Sequence, residues 1–254
     1  MSLELTVLGS GGYAPGYGKE VRNPAGFAVR AGDDVVLLDL GFGNVRQLAR
    51  AGIPVEDVSD VFLTHLHPDH CGDLPALLHV LHGETVPRAK RLRVWGPTGT
   101  RALVAALCKA WAPWIDPRGY ALEVRELADG GEALGIGWVV EARSVPHSSP
   151  ALAYRLSRGS ANLVYSGDME HEPGFARFAA SCDLLLIECT SDADDAKAGH
   201  LSAAQAIELS RASSAGKTLL THLSDASAAA AERLIAGDPC VELAKDLMRR
   251  KIKA

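Results

Sequence analysis

Three imidazoles and a carboxylate crowd the six positions His65-Leu66-His67-Pro68-Asp69-His70, directly behind the apolar run Val61-Phe62-Leu63. Imidazole and carboxylate are the side chains that ligate borderline and hard divalent cations. His65 and His67 are two apart, so they leave an extended backbone on the same side. Pro68 then turns the chain and brings Asp69 and His70 round from another angle. One tetrahedral ion could hardly use all four, so the cluster points to two cations. Further candidates close other apolar runs: His147 after Trp138–Val145, Asp168 after Leu163-Val164-Tyr165, and His222 after Lys217–Thr221. Each stands where a rigid element ends and can face a cleft. Asp168 is a carboxylate suited to bridge both ions while the histidines divide between them.

The pattern His65-x-His67-x-Asp69-His70, then His147, Asp168 and His222, resembles the metallo-β-lactamase superfamily of metallohydrolases, and does so from Leu3 to about Leu223. The resemblance implies that one ion takes His65, His67 and His147, that the other takes Asp69, His70 and His222, and that Asp168 bridges them. It also implies an attacking hydroxide held between the ions, its pKa brought toward ~7, with Asp69 counted among the catalytic groups. Two divalent ions are expected. Zinc suits histidine-rich mixed N/O ligation, and manganese and iron remain alternatives.

The superfamily does not fix the substrate. The discriminating segment is Leu186-Ile187-Glu188-Cys189-Thr190 with Gly199-His200-Leu201-Ser202 downstream. His200 is surplus to metal binding and opens a helix, where it is a candidate to protonate a leaving alkoxide or hold a phosphate oxygen. Glu188, ending a buried strand, would orient that imidazole and raise its pKa. The segment resembles the ribonuclease Z branch, as do Tyr165-Ser166-Gly167-Asp168 and Thr221-His222-Leu223-Ser224. Members that process tRNA carry a long exosite arm between the third and fourth metal motifs. Here only twenty residues separate His147 from Asp168, room for one strand hairpin. The net charge of −5 offers no global attraction to a polyanion. The expectation is therefore a phosphodiesterase of small or cyclic substrates. A tRNA 3′-end endonuclease without its arm is the first alternative, so RNA stays open as a partner; a thioester or lactone hydrolase is the second.

The elements that must carry these residues alternate along the chain. Strands are expected at Leu3–Leu8, Gly26–Arg30, Val35–Asp39, Val58–Thr64, Arg91–Trp95, in the stretch up to Val145, and at Leu152–Leu156, Asn162–Tyr165, Leu184–Glu188 and Leu219–His222, the last clear one. Helices are expected at Asn44–Ala51, from Asp73 as cap with Leu74, Leu77, Leu78 and Leu81 on one face, at Thr98–Trp111, Pro173–Ala180, Ser202–Ser213, and from Ser224 or Asp225 to Ile235. Gly9-Ser10-Gly11-Gly12 reads as a turn in which glycine supplies positive φ. It lacks a Walker lysine, and Gly41-Phe42-Gly43 lacks a third glycine, so both suit tight turns beside the cleft better than a nucleotide loop. By resemblance the class is α/β: a four-layer αββα sandwich of two mixed sheets flanked by helices, with metals at one edge.

A chain of 254 residues that is 47% apolar, without a long polar tract, suits one hydrolase domain over 1–254. No stretch approaches the ~20 apolar residues of a membrane span, and the start lacks the basic region of an export signal. Five unclustered cysteines read as reduced thiols of a cytoplasmic protein; Cys71 reads as a small packed residue. The runs Arg88-Ala89-Lys90-Arg91-Leu92-Arg93 and Arg249-Arg250-Lys251-Ile252-Lys253 read as solvated charge. His79 and His82 are expected opposite the leucine face of their helix, and His171 in a loop. Trp111 and Trp114, flanking Pro113, suit a cleft wall, a base-stacking surface, a lid or a contact in a homodimer.

Overall fold

The computed structural model describes residues 1–12, 20–83, 90–147, 150–192 and 198–253. Its first half runs β1 (Ser2–Gly9), β2 (Gly26–Ala31), β3 (Asp34–Leu40), α1 (Asn44–Arg50), β4 (Val58–Phe62), α2 (Pro68–Cys71), α3 (Leu74–His82), β5 (Leu92–Gly96), α4 (Thr100–Trp111) and β6 (Leu122–Glu126). The second half runs β7 (Glu132–Leu134), β8 (Val139–Val145), β9 (Ala151–Arg158), β10 (Ala161–Tyr165), α5 (Phe175–Phe178), β11 (Leu184–Glu188), α6 (Ala203–Ser213), β12 (Lys217–Thr221), α7 (Asp225–Leu234), β13 (Val241–Leu243) and β14 (Arg249–Lys253).

Two seven-stranded mixed sheets result, ordered β14-β1-β2-β3-β4-β5-β6 and β13-β12-β11-β10-β9-β8-β7. In each, the strands of the short hairpins β2–β3, β7–β8 and β9–β10 pair antiparallel, as does β1 with both β2 and β14, and strands joined through helices pair parallel. Alternation sets the layers. Leu3, Leu5 and Val7 of β1 and Val36 and Leu38 of β3 meet Leu163, Leu184, Leu186 and Leu219 of the other sheet in a shared core. The opposite faces are covered by helices: Val35 and Leu37 pack with Leu48, Leu74, Leu77 and Leu78, and Leu185, Ile187 and Leu220 pack with Ala206, Ile207 and Ala231. Each such fully buried aliphatic contributes about 1.5–3 kcal/mol. The αββα sandwich is the architecture found.

Several local expectations change. The tail Arg249–Lys253 is a strand, antiparallel to β1, with Ile252 buried between exposed basic residues; a short edge strand buries one face, so charge filled the alternate positions. β13 also follows the strand expected to be last. Arg93 is buried in a fork with Asp60 (Nε to Oδ1 2.7 Å, Nη2 to Oδ2 3.0 Å), and Lys90 Nζ lies 2.8 Å from Asp34 Oδ1; Arg88 and Ala89 of that run lie outside the described residues. The helix expected over Pro173–Ala180 shrinks to Phe175–Phe178. Asp73 makes no cap to its own helix; its Oδ2 accepts from Val45 N (2.7 Å) at the start of α1. Gly9, Gly11 and Gly12 are not at positive φ. Gly9 is needed for close approach, since a Cβ there would stand 1.8 Å from Pro24 O. Capping boxes open α6 at Ser202 and α7 at Ser224. No helix among the described residues is long and apolar enough to cross a membrane.

Candidate metal centre

The centre lies where strands of both sheets end. β4 stops at Phe62, and the chain is held open beyond it by the opposite sheet: Tyr154 Oη donates to Leu63 O (2.7 Å) and Leu152 N to Thr64 O (2.9 Å). Pro68 at the first position of α2 then lifts Asp69 and His70 onto a short helical turn. His147 follows β8, Asp168 follows β10 and His222 follows β12.

All seven candidate ligands converge. Ligand atoms of His65, His67, His147 and Asp168 form one group and those of Asp69, His70 and His222 another, each within 4.8 Å of one another. Asp168 Oδ2 stands 3.3 Å from His70 Nε2, 3.4 Å from His222 Nε2 and 3.8 Å from His65 Nε2; Asp69 Oδ2 lies 3.5 Å from His222 Nε2. These exceed hydrogen-bond lengths, but two donors on one tetrahedral cation at ~2.1 Å stand about 3.4 Å apart. Among the described residues the Nε2 atoms of His65, His70 and His222 and Oδ1 of Asp168 are buried without a hydrogen-bond partner. Such atoms are costly unless something ligates them, so the donor set fits a pair of divalent ions.

The electrostatics divide the histidines. Burial, reinforced by His70, pushes the His65 pKa far down, and burial with His147 lowers that of His67, so both favour the neutral imidazole that a cation needs. Burial opposes charge on His70, yet Asp168 and Asp39 hold its pKa well above the ordinary value. Burial likewise opposes charge on Asp168, but His222 and His70 keep its carboxyl well below the carboxylate range.

The supports were not all legible. Asp39, wholly buried at φ 58°, accepts from Thr64 N (2.7 Å), Thr64 Oγ1 (2.8 Å) and Tyr165 Oη (2.8 Å), and its Oδ2 lies 2.8 Å from His70 Nδ1. It stands one residue before the end of the apolar strand β3, much as Asp168 stands just past β10, which was the available signal. His147 Nδ1 donates to Gly199 O (2.7 Å), and Gly199 N donates to Glu170 Oε1 (2.9 Å). Gly12 packs against the His222 ring, where a Cβ would come within 3.0 Å of Cε1.

His200 stands beside this centre. Its Nδ1 is 3.1 Å from Glu188 Oε1, and its ring lies 5.3 Å from His147 and 5.4 Å from His222, centroid to centroid. Burial works against its charge, but Glu188 raises its pKa above the ordinary value. His200 also falls within 4.8 Å of donors on Asp168 and His222.

The other histidines do different work. His79 and His82 donate through Nδ1 to Trp114 O (2.9 Å) and Asp116 O (2.7 Å), which buries His82 rather than exposing it. His171 lies 3.4 Å from Glu208. Cys71 is packed, its thiol pushed by burial up to about 11. Trp111 and Trp114 stay exposed, around a groove of about 490 Å³ with Pro75, Ala76 and Ile115.

A family model described as the beta-lactamase superfamily domain matches residues 35–223. The ribonuclease Z of Nocardia farcinica is 28% identical over 304 aligned positions, spanning 97% of this chain and 96% of that one. Since 304 exceeds the 254 residues present here, that relative carries segments without a counterpart in this chain. Among solved structures, human tRNase Z, short form, superposes with a TM-score of 0.82 at 22% identity, covering 99% of this chain and 100% of that one. A diphosphatase from the PhnP family does so at 0.78 and 19% identity, covering 98% and 97%. With the sandwich fold and its paired His/Asp clusters, these matches establish that the chain belongs to the metallo-β-lactamase superfamily of metal-dependent hydrolases, on its ribonuclease Z-like side.

Proposed function

We propose that residues 1–254 act as one hydrolase domain that cleaves small phosphodiesters, cyclic ones included, in the cytoplasm. His65, His67 and His147 would hold one ion and Asp69, His70 and His222 the other, with Asp168 available to both; zinc is the ion this donor set suits best. When bound, the ions supply an activated water and neutralise charge developing at phosphorus. The observation that carries the reading is the His200–Glu188 pair beside the centre. Glu188 takes the Nδ1 hydrogen of His200 and favours the charged imidazole, so Nε2 is left to donate a proton to a departing alkoxide. A thioester needs no such donor, because its thiolate leaving group is far less basic than an alkoxide. The relatives' names, a ribonuclease and a diphosphatase, also favour phosphorus.

A tRNA 3′-end endonuclease is the second reading, favoured by the names of the ribonuclease Z relatives. Against it stands the segment from His147 to Asp168, which holds the hairpin β9–β10 and little else. RNA would then have to be gripped elsewhere. The exposed Trp111 and Trp114 suit contact with a second copy of the chain.

The test is turnover of cyclic nucleotides and bis(p-nitrophenyl) phosphate beside a tRNA precursor and a thioester panel. Cyclic phosphodiesters should be the best substrates; preferred cleavage of the tRNA precursor or of thioesters would overturn the proposal. His200→Ala should keep both ions and lower kcat by ~10²–10⁴, less for a p-nitrophenol leaving group.

A further inference from the structure

Thr190 stands at the junction of the candidate ligands and the proposed proton donor. Its Oγ1 is 2.6 Å from Glu188 Oε2, 2.8 Å from His222 Nδ1 and 3.5 Å from His222 O. A hydroxyl has one proton to give. The short contact to the carboxylate takes it, since charge-assisted bonds are the stronger. Oγ1 is then an acceptor toward His222, which places the imidazole hydrogen on Nδ1 and leaves Nε2 bare. That Nε2 is the buried, unpartnered atom facing Asp168 at 3.4 Å and Asp69 at 3.5 Å.

The other oxygen of Glu188 accepts from Met169 N (2.8 Å) and faces His200 Nδ1 at 3.1 Å. A continuous path therefore runs His222–Thr190–Glu188–His200, and its two terminal rings lie nearly parallel, 22° apart in plane. Thr190 is buried, and Ser224 Oγ donates to its backbone carbonyl (3.3 Å), fixing the residue to the start of α7. Turning the Thr190 hydroxyl away would unseat both imidazoles at once.

We propose that Thr190 is a positioning residue that couples the ion on the Asp69–His70–His222 side to the orientation of His200. It fixes the His222 tautomer that can ligate, and it holds Glu188 in the rotamer that serves His200. The part concerning His200 rests on the phosphodiesterase reading; the part concerning His222 does not.

The experiment compares wild type with Thr190→Val, which keeps the shape and loses the hydroxyl, Thr190→Ala as a less crowded form, and Thr190→Ser, which restores the hydroxyl. Zinc is withdrawn from each full-length protein by a chelator series, and turnover is then measured at saturating zinc on alkyl and p-nitrophenyl phosphodiesters. The expected result is two phases of zinc loss, with one weakened by ~10–100-fold in Val and Ala and the other unmoved. At saturating zinc, kcat should fall more for the alkyl ester than for the p-nitrophenyl ester, and Ser should recover both properties. A wild-type chelator curve in Val or Ala overturns the proposal, as does a Ser variant no better than Val. Should the wild type cleave no phosphodiester, the functional reading fails while the chelator curves still decide the Thr190–His222 link.

Discussion

Replacing Asp39 by Asn should strip the centre of metal while leaving the fold nearly intact. Asp39 Oδ1 takes the Thr64 backbone N–H, which cannot be reversed, so the amide oxygen must stay there. The new NH₂ group then occupies the place of Oδ2, where Thr64 Oγ1, Tyr165 Oη and His70 Nδ1 each lie at 2.8 Å. The two hydroxyls can turn and accept. His70 can oblige only by giving up its Nδ1 hydrogen, and the neutral ring then carries its proton on Nε2, the atom proposed to ligate. Losing a bond between an imidazole and a carboxylate is worth about 1.5–3 kcal/mol, and loss of such a partner typically weakens metal binding ~10–100-fold. Zinc content after dialysis against a graded chelator, with Tm measured on the same samples, reads both effects. A variant that keeps two ions per chain at wild-type affinity would refute the tautomer argument. One that unfolds would show that the hydroxyls do not turn.

Other outcomes follow from the same geometry. Gly199→Ala places a Cβ 3.0 Å from His147 Nδ1 at a backbone φ of 84°, so the ring must move and the ion on the His65–His67–His147 side should be lost first; zinc counted per chain checks this. Burial opposes charge on His70, but Asp168 and Asp39 raise its pKa above the ordinary value and so favour the protonated ring, which must lose a proton to ligate. Zinc binding should therefore weaken as pH falls, and calorimetry in buffers of different ionisation enthalpy should register a released proton. Burial opposes charge on Asp34, but Lys90 and Trp138 lower its pKa, so its stabilisation is present above the unfolded value of ~3.9 and is lost as pH falls through the lower folded one. Asp34→Asn should thus destabilise at neutral pH and converge on wild type in acid melts, and a constant difference down to low pH would contradict it.

The centre was legible because its candidate ligands sit at strand ends, each announced by the apolar run before it. Glu188 was legible for the same reason, and His200 as a histidine surplus to the ligands at the entrance of a helix, in a segment that resembles the ribonuclease Z branch. Asp39 and Thr190 were not, because their importance depends on which strands lie side by side: β3 beside β4, and β11 beside β12. Nothing local to Val35–Asp39 says that Thr64 and His70 will arrive next to it. The strand β14 escaped because a basic tail and an edge strand with one buried Ile252 share a composition. Gly9 misled differently, since a glycine demanded by crowding looks in sequence like one demanded by positive φ.

The pairing of β14 with β1 has a consequence for how the chain assembles. Ser2 faces Lys253 and Leu3 faces Ile252, so one ladder joins residues separated by almost the whole length of the chain. Asp246 extends the tie, accepting from Ser10 N, Ser10 Oγ and Asn23 N. Contacts of such separation are closed last, after the loop entropy has been met. Until then the outer edge of β1, with Leu3 and Leu5 on its inner face, offers free backbone groups to any strand that passes. Synthesis on the ribosome would leave that edge waiting until β14 has emerged, and a variant lacking β14 would expose it for pairing with other chains.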